Sequence, residues 1–236
     1  MEEVTICIPA RNEALVILQT VETLLTMCNR FPAYSWNVTV VDNGSTDATA
    51  SLVRSHSDTR VRLLQQPILG KGAAVSFAAK NCTSDFLVFI DADLSADFNQ
   101  IPLFIETIKK GSDIVIGSRL LNTEIIHRSI WRSATAWIFS TYAQLLVPVS
   151  VVDSQCGLKA MNRAGIAILA SCGELGWFFD RELLAKAVKR KLKIVELSVA
   201  WEEFRYPDRK SKLHVVRAGL QSIVSLWRIR NEVKKF

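Results

Sequence analysis

The segment Phe89-Ile90-Asp91-Ala92-Asp93 carries an apolar stretch directly into two acids separated by one residue. On an extended segment positions i and i+2 point the same way, so the two carboxylates can serve one hard cation, or a ribose and a cation respectively. A divalent ion held there can bridge a diphosphate and offset the charge that develops as it leaves. Such a pair is common as turn or capping acids, and its place at a strand end is what gives it weight. A second acidic cluster, Val40-Val41-Asp42-Asn43-Gly44-Ser45-Thr46-Asp47, also closes an apolar run. Asp42 is placed to accept hydrogen bonds from a base or a ribose, Gly44 permits a tight turn, and Asp47 is expected to cap the helix that follows.

Other motifs narrow the chemistry by what they lack. The first apolar run ends in Pro9-Ala10-Arg11-Asn12-Glu13, where a dinucleotide-binding fold would carry a glycine-rich turn, which argues against a nicotinamide dehydrogenase. Lys71 stands between Gly70 and Gly72 like part of a phosphate loop, but no Ser or Thr follows and the full spacing is missing. A loop packed beside a nucleotide pocket is expected there instead. His56, His127 and His214 are scattered and suggest neither a metal site nor a triad. The five cysteines form no close pair and read as reduced, mostly buried thiols.

The elements that must position these residues follow from hydrophobic period. Short β-branched runs at Val4–Pro9, Trp36–Asp42, Val61–Gln66, Phe86–Asp91 and Asp113–Gly117 read as strands. Asn12–Cys28, Asp47–His56, Lys71–Asn81 and Asn99–Lys110 read as the crossover helices between them. The class is α/β, a mostly parallel sheet flanked by helices, and in such a sheet ligands gather at the carboxyl ends of the strands. The 236 residues suit one large domain, read as a catalytic unit over 1–212 followed by a basic amphipathic helix over 213–236. After Arg119, Ile125–Val147 is a long helical pattern with Trp131, Trp137 and Tyr142, entered through His127, Arg128 and Arg132. Its polar residues make it a poor membrane span; a helix in the membrane interface and an ordinary core helix are both open readings. The net charge of +6 points to an anionic partner, whether phosphate ligand, anionic membrane or nucleic acid.

In order along the chain, Pro9-Ala10-Arg11-Asn12-Glu13, Val41-Asp42-Asn43-Gly44-Ser45-Thr46-Asp47, Gly70-Lys71-Gly72, Asp91-Ala92-Asp93, Gly117-Ser118-Arg119 and Asp153-Ser154-Gln155-Cys156-Gly157 form an ordered set. With it the chain resembles the inverting family 2 glycosyltransferases of GT-A fold, especially the dolichyl-phosphate glucose and mannose synthases. That resemblance implies that Pro9, Ala10, Arg11, Glu13, Val40 and Asp42 hold the nucleoside of a nucleotide-sugar donor, with Lys71 beside them. It implies that Asp91 and Ala92 continue the pocket, and that Asp93, with Asp91 and with Ser95 nearby, serves Mg²⁺ or Mn²⁺. Arg119 would face the phosphates, and Lys212 in Arg209-Lys210-Ser211-Lys212 matches the lysine of a late loop in the family. Asp153-Ser154-Gln155-Cys156-Gly157 and Trp201-Glu202-Glu203 look closer to the glucosyl branch, which favours UDP-glucose over GDP-mannose.

Acceptor chemistry separates the remaining readings. A hydroxyl acceptor needs a carboxylate base, for which Asp180 stands in position, although Asp180 equally suits a helix cap. A dolichyl or polyprenyl phosphate has a second pKa of about 6 and is already a dianion near neutrality. It needs cations such as Arg119, Arg128 or Arg132, and Lys212 more than a base. The expectation is a peripheral enzyme on the cytoplasmic face of a membrane, with no nucleic-acid partner. Met1-Glu2-Glu3 passes straight into a strand, so no signal peptide is expected, and membrane contact would come from its own helices or an anchoring subunit. The alternatives are transfer to a sugar hydroxyl with Asp180 as base, a basic surface-binding module without activity, and a nucleotidyltransferase.

Overall fold

A computed structural model describes residues 1–121, 143–202 and 215–236, with 215–223 described as helix backbone. Strands β1 (Glu2–Ala10), β2 (Tyr34–Asp42), β3 (Val61–Gln65), β4 (Phe86–Phe89) and β5 (Ile114–Ser118) alternate with helices α1 (Ile17–Asn29), α2 (Thr49–Arg54), α3 (Lys71–Lys80) and α4 (Ile101–Lys109). There follow β6 (Lys159–Met161), α5 (Arg163–Ala170), α6 (Phe179–Lys189), β7 (Ile194–Ser198) and α7 (Val215–Lys235). The seven strands form one sheet in the order β3-β2-β1-β4-β6-β5-β7. All neighbours are parallel except β6, which runs antiparallel to both β4 and β5. The expected α/β class with a mostly parallel sheet is what the chain adopts.

Period-two alternation explains the layering. Val4, Ile6 and Ile8 of β1, with Val88 of β4, pack toward α1 and α4, whereas Cys7, Leu87 and Phe89 face the other way, toward α3, α5, α6 and α7. Each face therefore carries its own core, and the strand ends between them are the places left for polar side chains.

Three differences from the sequence reading have local causes. Helix α1 begins at Ile17, not at Asn12, because Asn12 adopts φ 56° and its side chain is spent on the neighbouring loop. Strands β6 and β7 are additions to the expected set: β6 is three residues long and contains a lysine with no solvent exposure, and β7 carries Ile194, Val195 and Leu197. The chain leaves β4 at Phe89 and turns at Asp91, where Leu94 N–H donates to the Asp91 carbonyl at 3.0 Å and Leu94 takes φ 49°. The two acids thus sit on a turn and not on an extended segment, so the strand argument for their common direction does not hold.

The Ile125–Val147 pattern falls mostly outside the described residues. Its end, Ala143 and Val147, is buried in the core, and Arg181 of α6 donates to the Val147 carbonyl at 2.7 Å. Helix α7 buries Leu226 and Ile229 and exposes Val224 and Trp227. Among the described residues no helix is long and apolar enough to cross a membrane.

Candidate active site

The loops after β1 and β2 are laced together. Asn12 N–H donates to Ser45 Oγ at 2.9 Å, and Thr46 N–H donates to Asn12 Oδ1 at 2.7 Å. Glu13 N–H donates to Thr49 Oγ1 at 2.8 Å, and Ala14 N–H to Asp47 Oδ2 at 3.1 Å. Asp47 Oδ1 also accepts from Thr49 N–H at 3.0 Å, but from one residue ahead of the N-cap, which is Ala48 with no side-chain bond, so the expected cap is not formed. Asp42, ending β2, accepts from Ser45 N–H at 3.3 Å and is buried, as is Glu13. Pro9 is half-buried and Arg11 is exposed at this mouth. Ala10, Val40, Ala92 and Ser95 are buried; Val40 has no exposed surface and belongs to the core, so a part in holding a ligand falls to its backbone.

Asn43 is a residue the sequence reading passed over. Its amide donates to the Gln66 and Ile68 carbonyls at 3.1 and 2.6 Å and accepts from Gly70 N–H at 2.7 Å, so it pins the loop that leads to Lys71. The signal available was an Asn between two acids at a strand end, a residue type that satisfies backbone in turns.

The Gly70-Lys71-Gly72 element owes its glycines to close backbone approach. A Cβ on Gly70, which has φ 135°, would lie 2.0 Å from the Leu175 carbonyl oxygen, and one on Gly72 would lie 2.2 Å from that of Glu174. Gly72 and Ala73 N–H donate to the Gly176 and Leu175 carbonyls at 3.2 and 3.1 Å. The facing loop is itself held by buried Glu182, which accepts from Gly173 and Glu174 N–H at 3.1 and 2.7 Å and pairs with Lys186 at 2.8 Å. Gly72→Ala is therefore expected to cost at least about 1–3 kcal/mol by overpacking. Gly173→Ala, whose Cβ would meet nothing within 4 Å, is the neutral control in the same denaturant series.

This packing delivers Lys71 to the acids. Its ammonium lies 2.6 Å from Asp91 Oδ1 and 5.3 Å from the centre of the Trp177 ring. The other Asp91 oxygen faces Gly157, where a Cβ would stand 2.1 Å away, so Gly157 makes room for Asp91. Asp93, half-exposed, accepts from Ser95 N–H at 3.2 Å. No group of three His, Cys, Asp or Glu side chains is assembled for a metal among the described residues. Asp93 still suits a hard cation, being a half-exposed carboxylate on a turn, with the remaining ligands left to diphosphate and water.

Asp180 is placed differently from what a base requires. It lies in the first turn of α6 but does not cap it, since Phe178 holds the N-cap position with no side-chain bond; it is buried with its carboxylate 2.6 Å from the ammonium of fully buried Lys159. Lys159 directs a hydrogen bond to the Cys156 carbonyl at 2.6 Å. Burial pushes the Asp180 pKa up, and the charges of Lys159 and Lys71 oppose that shift.

Arg119 follows β5 and is gripped by buried Asp153: Nε–Oδ2 is 2.6 Å, Nη2–Oδ1 is 2.8 Å, and the Arg119 N–H adds a third bond at 3.0 Å. Its guanidinium sits 4.9 Å above the Trp201 ring. Burial acts against the Asp153 carboxylate, but the Arg119 bonds and charge prevail and hold its pKa below the ordinary value. A depressed carboxyl stabilises the fold above its unfolded pKa of about 3.9 and loses that contribution as pH falls toward the folded value. The stability gap between wild type and Asp153→Asn, measured by urea unfolding, is expected to hold steady above pH about 5 and to narrow below about 4. Arg132 and Lys212 lie outside the described residues.

Acids, a lysine and an arginine thus converge at the carboxyl ends of β1, β2, β4 and β5, and the glycosyl transferase family 2 profile matches residues 5–167 of the chain. The chain belongs to glycosyl transferase family 2. Within that family it is 30% identical over 266 residues to the dolichyl-phosphate beta-glucosyltransferase of Drosophila melanogaster, covering 99% of this chain and 79% of that protein. It is 29% identical over 222 residues to the Saccharomyces cerevisiae enzyme of the same name, covering 84% of this chain and 66% of the relative. Against the glycosyltransferase AglD of Haloferax volcanii it is 29% identical over 237 residues, 96% of this chain but 37% of AglD. Glucosyl-3-phosphoglycerate synthase of Mycobacterium tuberculosis, solved with Mn²⁺, UDP and glucosyl-3-phosphoglycerate, superposes with a TM-score of 0.67 at 20% identity, covering 98% of this chain and 80% of that one. The family 2 chain thus has the GT-A fold.

All five cysteines are free and four are buried; burial raises the Cys28 thiol to about 12 and also pushes up Cys7, Cys156 and Cys172. The expected burial of most of these thiols holds, and a raised pKa disfavours the reactive thiolate.

Proposed function

We propose that this family 2 transferase moves a hexose with inversion from a nucleotide sugar, UDP-glucose first, to a dolichyl or polyprenyl phosphate at a membrane surface. The observation that carries the acceptor class is the Lys159–Asp180 pair. A carboxylate locked 2.6 Å from an ammonium in the core is a poor candidate to deprotonate a hydroxyl. A lipid phosphate needs no such base, since it reaches the site already ionised. The names of the relatives support the same acceptor and favour glucose.

In this reading Asp42 and the laced loops after β1 and β2 cradle the nucleoside, with Pro9, Ala10, Arg11, Glu13, Val40 and Ala92 forming its surroundings. Asp93, with Asp91 and Ser95 beside it, would hold Mg²⁺ or Mn²⁺, which when bound neutralises the diphosphate as leaving group. Lys71 balances Asp91, so donor anions enter a site that is not dominated by carboxylates. Arg119, with Arg132 and Lys212, meets the acceptor phosphate and reduces the repulsion between two anionic reactants. Membrane contact would come through the 125–147 segment and α7 or an anchoring subunit.

The test is nucleoside diphosphate release from UDP-glucose and GDP-mannose, with Mg²⁺ or Mn²⁺, with and without a polyprenyl phosphate. Release that requires the lipid supports the reading and identifies the sugar. Release to a free sugar acceptor with loss in Asp180→Asn would transfer the case to the hydroxyl reading.

A further inference from the structure

Glu196 lies on β7, at one edge of the sheet, opposite Ile116 of β5. Its two carboxylate oxygens accept from consecutive backbone amides across the sheet edge: Oε2 from Val152 N–H and Oε1 from Asp153 N–H, each at 2.8 Å. Asp153, fixed at its backbone, closes on Arg119 with three hydrogen bonds. Arg119 is held on its other side by Trp201, whose segment is tied back to the acid-bearing turn through Glu202 N–H to the Ser95 carbonyl at 2.9 Å. A half-buried glutamate on a strand edge commonly faces water; here both oxygens are committed to two successive donors, an arrangement that fixes position more than it adds charge.

We infer that Glu196 is a positioning residue for transfer: it sets Asp153, and through Asp153 the orientation of the Arg119 guanidinium that meets the acceptor phosphate. The inference rests on the function proposed above. Glu196 binds the backbone amides of residues 152 and 153, and its effect passes through them. Glutamine in its place presents one acceptor and one donor to two donors, and the pinch is lost at nearly constant shape.

The experiment compares wild type, Glu196→Gln, Glu196→Asp, Asp153→Asn and the double variant Glu196→Gln/Asp153→Asn in transfer from UDP-glucose to polyprenyl phosphate. Glu196→Gln is expected to lower kcat/KM for the lipid phosphate about 10–100-fold while leaving KM for the donor unchanged. In the Asp153→Asn background the same change should cost less than about threefold, because the two act in series. Losses that multiply, or a Glu196→Gln enzyme within about twofold of wild type, would overturn the inference. A second readout needs no substrate: the Arg119 Nε–H resonance should exchange with water at least about tenfold faster in Glu196→Gln and in Glu196→Asp. Should wild type transfer to no lipid phosphate, the function fails, but this resonance still decides whether Glu196 holds Arg119. An unchanged resonance in the folded Asp variant counts against the inference even if the Gln variant does not fold.

Discussion

Asp93→Ala is expected to lower transfer to lipid phosphate by about three orders of magnitude, the equivalent of about 4 kcal/mol of transition-state stabilisation lost with a divalent ion. Asp93 sits on the turn that follows β4, half-exposed, with one oxygen accepting from Ser95 N–H at 3.2 Å. The turn itself is anchored elsewhere, by fully buried Leu94 and by the Leu94 N–H to Asp91 carbonyl bond. The loss should therefore be chemical and leave the unfolding midpoint nearly in place. Asp93→Asn separates the two roles, since an amide oxygen can still accept from Ser95 but offers the cation no negative charge. Both variants should be similarly inactive, and both should lose Mn²⁺ binding measured in the presence of UDP. An Asn variant within about tenfold of wild type would show that the carboxylate charge at this position is dispensable.

How much of this site could be read beforehand depends on whether a residue's role is local. Asp42 and Asp47 declare themselves by their place between an apolar run and a helix, and both lie where that pattern puts them. The parallel half of the sheet follows from β-branched runs separated by helix periods, and those strands match closely. The elements that escaped are short or have their meaning at a distance. Strand β6 is three residues, and the partner of its lysine, Asp180, lies 21 positions onward on α6. Gly70 and Gly72 resemble a phosphate loop, but their cause is the backbone of residues 174–176, which no local pattern reveals. Arg119 stands out as a cation after a strand, whereas its grip by Asp153 and the support from Glu196 span 34 and 43 residues of separation. For the paired acids the pattern implies an extended backbone, whereas a turn carries them, so Asp91 meets Lys71 while Asp93 accepts from Ser95 N–H.

Lys159→Met is expected to destabilise the protein by about 3–5 kcal/mol, because it leaves a buried carboxylate without its counter-charge. Lys159 has no exposed surface and the Asp180 side chain is 5% exposed, so water cannot replace the lost ammonium. Desolvation already pushes the Asp180 pKa up, and removing the nearest opposing charge pushes it further, so the variant should take up a proton at Asp180. The lysine also holds the Cys156 carbonyl at 2.6 Å, one residue before the glycine that makes room for Asp91, so the damage should spread to donor binding. Adding Asp180→Leu to Lys159→Met should recover much of the stability, since an apolar pair of similar volume avoids the desolvation of two charges. Urea unfolding of the two single variants and the double variant measures this directly. The same series bears on chemistry: a catalytic base would cost kcat in Asp180→Asn whatever its stability. The position of Asp180 predicts the reverse, a lowered unfolding midpoint with the pH dependence of kcat unchanged. If instead Asp180→Asn were as stable as wild type and lost the acid limb of its pH profile, Asp180 would have to be exposed by a rearrangement on substrate binding and the phosphate-acceptor argument would lose its structural basis.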